Sequence, residues 1–140
     1  HAAAGAMSAR GAGGILNVAS VAGYLPSAGN ATYAATKAFV NSFSESLHQE
    51  LADAGVVVTS SCPGFTKTEF QDRADYDSEQ IPKFLWQDAD SVAAHALGAV
   101  AAGKARVVPG TLNKVAVGVL KVMPLRVLRR LGGRGVELDG

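Results

Sequence analysis

The chain has 140 residues, 48% of them hydrophobic and 18% charged, a balance that suits one soluble globular domain, or part of one, and excludes a disordered chain. Thirteen Lys and Arg against twelve Asp and Glu leave a formal net charge of +1, so no bulk field points to nucleic acid as a partner. The single cysteine, Cys62, excludes an internal disulfide, and three scattered histidines beside it make no spaced set of metal ligands.

His1 to Met7 reads as the last turns of a small-residue helix that begins before the sequence does, closed by Gly11, Gly13 and Gly14. Ile15 to Ser20 is a short, mostly apolar run, expected to form a parallel strand buried on both faces with Ser20 at its carboxyl end. After a loop carrying Gly23, Pro26 and Gly29, residues Ala35, Ala38, Phe39, Phe43, Leu47 and Leu51 recur at three- and four-residue steps. That spacing predicts an amphipathic helix from about Thr32 to Ala54, capped by Asn30 and stopped by Gly55. Val56 to Cys62 is a second strand, running into Pro63-Gly64, and strand, helix, strand forms a crossover unit.

Phe65 to Gln87 mixes aromatics with acids and has no clean period, so a long excursion with at most short helices is expected. Its Phe65, Phe70, Tyr76, Phe84, Leu85 and Trp86 either line an apolar pocket or anchor the loop. Asp88 is placed to cap a helix reaching about Ala102, and Gly103 closes it before a third strand, Arg106 to Val108. Two helical pieces divided by Pro124 fill Leu112 to Leu131. The most apolar stretch, Val115 to Leu128, is interrupted by Lys121, Pro124 and Arg126 before it could span a bilayer. Charge is uneven: residues 1–103 hold five Lys and Arg against ten Asp and Glu, whereas residues 104–140 hold eight against two. The tail is a basic, apolar appendage that either closes a pocket or subunit interface or makes a peripheral membrane contact. Alternating strands and helices define an α/β fold with a parallel sheet.

Tyr33 and Lys37 lie four apart at the start of the second helix, so their side chains leave one face a turn apart. A tyrosine in water ionises only near ~10, and an ammonium beside it favours the phenolate. Ser20, thirteen residues earlier, would stand at the carboxyl end of a parallel strand, the edge where ligand sites form. Its hydroxyl could hold a carbonyl oxygen while Tyr33 exchanges the proton. The competing readings are a strand-end serine bonded to backbone and a helix tyrosine packed on its neighbours. The histidines read as solvated or satisfied locally, and Cys62 as a small buried hydrophobe.

Ile15 to Ser20, Tyr33-Ala34-Ala35-Thr36-Lys37 and Pro63-Gly64-Phe65-Thr66-Lys67-Thr68, in this order and spacing, resemble the short-chain dehydrogenase/reductase family. The resemblance implies the carboxyl-terminal part of a Rossmann-like, doubly wound parallel sheet, its last three strands with flanking helices. It divides the chain into a partial catalytic domain, residues 1–110, and a helical tail, residues 111–140. It further implies an oxidoreductase that uses NAD or NADP, with Tyr33 as acid/base, Ser20 orienting the carbonyl, and Lys37 tuning Tyr33 and binding the nicotinamide ribose. Pro63, Gly64 and Thr68 would face the nicotinamide carboxamide. The family's glycine-rich phosphate loop would precede His1, because Gly11, Gly13 and Gly14 open a strand rather than a helix, and its relay asparagine would also lie before His1. The 140 residues alone are therefore expected to be inactive. The partners implied are a small, apolar carbonyl or alcohol substrate, of the ketoacyl, steroid or lipid-like kind, and a second copy of the chain, in a cytoplasmic setting. The alternative is a non-catalytic member that keeps the fold for binding or assembly.

Overall fold

The structure is a computed structural model that describes residues 2–68 and 81–133. Strands β1 (Gly13–Val18), β2 (Val56–Ser61) and β3 (Arg106–Val107) lie side by side in that order, both pairs parallel. β1 and β2 pair along their whole length, from Gly13 opposite Val56 to Val18 opposite Ser61. β2 is the most buried element: Val56, Val58, Thr59, Ser60 and Ser61 are all inside. A β-branched run covered on both faces is what a central parallel strand requires.

Helix α1 (Ala2–Arg10) leads into β1, and helix α2 (Ala31–Glu50) crosses one face of the sheet before a single-turn 3-10 segment, Ala52–Ala54, ends it at Gly55 in the left-handed conformation. Asn30 stands at the amino-terminal cap of α2 but makes no side-chain cap bond, correcting the role expected of it. The apolar stripe of α2 is corrected as well. Ala35 and Ala38 are exposed, and Phe39 and Phe43, 65% and 48% exposed, stack on each other at 5.7 Å on the outside. What faces the sheet is Ala34, Asn41 and Ser44, all buried, with His48 half-buried. The reason is chemical matching. Asn17 Nδ2 donates to Ser44 Oγ at 3.0 Å, Ser60 Oγ donates to Asn41 Oδ1 at 2.8 Å, and His48 Nδ1 pairs with the Val58 carbonyl at 2.8 Å. A strand face carrying buried hydroxyls and amides needs a helix face that satisfies them.

Helix α3 (Ala89–Ala101) covers the other face, where Val100 fills the space above Gly14. Gly14 and Asn17 are an odd number of residues apart, so they point to opposite sides of β1. Asp88 caps α3 as expected, its carboxylate accepting from Ser91 N at 3.0 Å. Helices α4 (Thr111–Val122) and α5 (Leu125–Gly132), divided at Pro124, form the tail. α4 buries Val117, and the α5 end is tied to the body where Ala28 N donates to Gly132 O at 2.8 Å. No helix among the described residues is long and apolar enough to cross a membrane. His1, Phe70, Tyr76 and Arg134 lie outside the described residues.

Candidate active site

Ser20 was expected to end the first strand, yet β1 stops at Val18 and Ser20 caps a short 3-10 turn, Val21–Tyr24. The hydrogen bonding keeps its register past β1, Ala19 N reaching Ser61 O at 2.8 Å and Val21 N reaching Pro63 O at 3.0 Å. Ser20 is buried, and its hydroxyl accepts from Ala22 N at 3.1 Å and donates to Pro63 O at 3.5 Å. The serine and the Pro63-Gly64 turn therefore share one carbonyl at the carboxyl ends of adjacent strands.

Tyr33 and Lys37, both half-buried, project from the first turns of α2 toward the same edge. Lys37 Nζ donates to Val18 O at 3.0 Å and lies 5.5 Å from the centroid of the Tyr33 ring. One ammonium thus touches the strand end that leads to Ser20 and the face of the tyrosine. Burial lowers the Lys37 pKa below its ordinary 10.5, since the charged form is the one that loses water. A cavity of about 520 Å³ opens on the Ala31, Ala35 and Ala38 side of α2, next to Pro26 and Arg129. Those alanines form a different helical stripe from Tyr33 and Lys37, so the cavity is separate from this group.

Beyond the turn, residues 65–67 run beside Gln87 as a short parallel bridge, Gln87 N to Phe65 O at 2.8 Å and Lys67 N to Gln87 O at 2.9 Å. Phe65 and Trp86 pack at 5.8 Å, while Phe65 and Phe84 are both exposed. Thr68 is exposed at the end of this described segment. Cys62 is fully buried, its thiol 2.9 Å from Asn41 Oδ1 and 3.7 Å from the Tyr24 hydroxyl. His48 is satisfied by the sheet rather than locally, and His95 Nδ1 pairs with Ser91 O at 2.7 Å.

Two residues around the turn escape sequence reasoning. Gln87 Oε1 accepts from Gly64 N at 3.4 Å and from Asn113 Nδ2 at 2.8 Å, and Asn113 Nδ2 also reaches Pro109 O at 3.1 Å. Each amide has only a faint mark in the sequence, Gln87 by preceding the cap Asp88 and Asn113 by following Pro109-Gly110. The fold brings them together across 26 residues.

Comparison with known proteins bears on the family and the fold. The short chain dehydrogenase family model matches residues 1–79. A diacetyl reductase, (S)-acetoin forming, of Staphylococcus epidermidis is 42% identical over 73 residues, which is 52% of this chain and 28% of that protein. A 3-oxoacyl-[acyl-carrier-protein] reductase of Vibrio cholerae is 47% identical over 57 residues, 41% of this chain and 23% of that protein. The solved short-chain dehydrogenase of Sphingobium yanoikuyae in complex with NADPH shares 28% identity and a TM-score of 0.70, over 87% of this chain and 50% of that one. The alignments thus span less than a third of the two curated relatives and half of the solved structure. With more than half of its residues inside the family model, and with the parallel sheet and flanking helices superimposing on a solved member, the chain belongs to the short-chain dehydrogenase family.

Proposed function

We propose that the protein containing this chain is an NAD- or NADP-dependent oxidoreductase that interconverts a carbonyl and an alcohol, with Tyr33, Ser20 and Lys37 as its chemical group. The observation that carries this reading is the position of Lys37, whose ammonium contacts both the Tyr33 ring and the carbonyl of Val18, two residues before Ser20. The residues present suit the nicotinamide end of a dinucleotide. A cation, a buried hydroxyl and a Pro-Gly turn gather at the carboxyl ends of parallel strands, where such ligands bind. When bound, the dinucleotide supplies or accepts the hydride.

The rest falls to this chain. Ser20 holds the substrate oxygen through its hydroxyl. Tyr33 gives its proton to that oxygen in reduction and recovers it in oxidation. The Lys37 ammonium stabilises negative charge on the Tyr33 oxygen and donates to the ribose, while Pro63, Gly64 and Thr68 bound the nicotinamide carboxamide. Residues 1–110 are the catalytic part in this reading, and residues 111–140 are the tail. The substrate is a small apolar carbonyl or alcohol. The exposed valines and leucines of α4 and α5 are assigned to a pocket rim or a second subunit, an assignment that binding to anionic vesicles at low salt would overturn.

The test is Tyr33→Phe in the protein expressed from its complete coding sequence. Turnover is expected to fall by about a thousandfold or more, while dinucleotide affinity stays within about threefold, because the ring is kept and only the exchangeable proton is lost. Lys37→Ala is expected to damage both. Retention of most of the turnover by Tyr33→Phe overturns the reading. The 140 residues alone are expected to show no turnover.

A further inference from the structure

Gly64 is held through both of its backbone groups. Its N–H is given to Gln87 Oε1, at 3.4 Å, and its carbonyl accepts the Thr66 hydroxyl, at 3.2 Å. Gln87 itself cannot drift, since its backbone is bridged on both sides to residues 65 and 67 and its side-chain oxygen takes a second donor from Asn113. Asn113 is fixed in turn by Pro109 O at the end of the β3 connection. Three separate segments, the turn after β2, the approach to α3 and the first turn of α4, thus meet on one carboxamide.

The fit is also steric. A Cβ at Gly64 would lie 2.5 Å from Asn113 Nδ2, and one at Gly110, whose φ is 83°, would lie 2.5 Å from Gln87 Nε2. Both glycines leave the space that the two amides fill.

We propose that Gln87 and Asn113 form an amide clamp that positions the Pro63-Gly64 turn for the nicotinamide carboxamide, which makes the tail helix α4 a support of the cofactor site. This rests on the oxidoreductase reading above. Neither amide contacts the reacting atoms; both are positioning residues. Gln87 Oε1 is a hydrogen-bond acceptor for two donors, so replacing it with an apolar side chain leaves the Gly64 N–H free to turn. A glutamate keeps an oxygen in the same place.

The test uses the protein expressed from its complete coding sequence and two probes, the dinucleotide and ADP-ribose (or its 2′-phosphate), which lacks only the nicotinamide. Gln87→Leu is expected to weaken dinucleotide binding by about tenfold, the scale of one or two lost hydrogen bonds, and to leave ADP-ribose binding unchanged. Gln87→Glu is expected to restore the affinity to within about threefold, and adding Asn113→Ala to Gln87→Leu to cause little further loss, because the two act as one unit. Should Gln87→Leu not fold, Asn113→Ala is read in the same way and is expected to show a smaller selective loss. Equal weakening of both probes, or no change in either, overturns the clamp while leaving the oxidoreductase reading in place. A wild-type protein that binds neither NAD nor NADP overturns that reading and the clamp with it.

Discussion

At Lys37 burial acts on the same proton that the proposed mechanism uses. Its ammonium has exchanged part of its water for the Val18 carbonyl and the Tyr33 ring, and burial lowers its pKa from the ordinary 10.5. The unfolded chain keeps that proton up to 10.5, whereas the folded chain releases it earlier. Between the two values unfolding takes up a proton, so this group makes stability rise with pH; below both, the cost of burying the charge is carried in full. Lys37→Met carries no such cost. The stability of Lys37→Met relative to the wild type is therefore expected to decline as pH is raised toward 10.5, measured by urea unfolding at a series of pH values. A difference that is flat or grows with pH contradicts the assignment. The pair's presence was legible from its spacing of four, because helix geometry alone puts both residues on one face. Gln87 and Asn113 were not, because an amide is informative only once the groups it satisfies are known, and those lie 23 and 26 residues away.

The same distinction holds for α2 as an element. Periodicity located the helix within a few residues, but it assigned the core face to the alanines and phenylalanines, which lie outside. A hydrophobic stripe states that a face is to be covered, not by what; here the sheet takes the polar stripe, because Asn17, Val58 O and Ser60 supply its hydrogen-bond partners. Ser44 is fully buried, donates to Val40 O at 2.6 Å and receives Asn17 Nδ2, while Ser46, two residues on, is exposed. Ser44→Val is therefore expected to destabilise the protein by about 1–3 kcal/mol, by stranding the Asn17 amide and overfilling a closed space. The matched change Ser46→Val is expected to stay within about 0.5 kcal/mol. Urea unfolding of the two variants side by side checks this, and equal effects would return the apolar stripe to the core. The tail behaves differently, since its two helices and the break at Pro124 followed directly from the sequence. A proline-imposed boundary is a local property and needs no knowledge of the neighbour.

For the molecule as a whole, the alternation of strands and helices was enough to give the α/β class and the parallel sheet, because parallel neighbours require crossovers of this length. Its association behaviour depends on the order of the strands. β1 is paired with β2 on one side, and among the described residues no strand lies on the other. In a parallel ladder alternate residues bond to alternate sides, so about half of the β1 backbone groups point toward that open edge. Val18, at its end, is 60% exposed, and the outward face of α2 adds Phe39 and Phe43. Both features favour contact with another chain, an unpaired edge through its backbone and an exposed aromatic face through its apolar area. Charge works in the same direction, since the acidic body and basic tail of one copy complement those of another. The 140-residue chain by itself is accordingly expected to self-associate at micromolar concentration, seen as a mass above 14.3 kDa by light scattering after size exclusion. Two variants separate the causes. Val18→Lys places a charge at the open edge and is expected to reduce association if the edge is the contact, whereas Phe39→Ser with Phe43→Ser reduces it if the α2 face is. A monomer that unfolds cooperatively at high temperature shows instead that the three strands and their helices are sufficient by themselves.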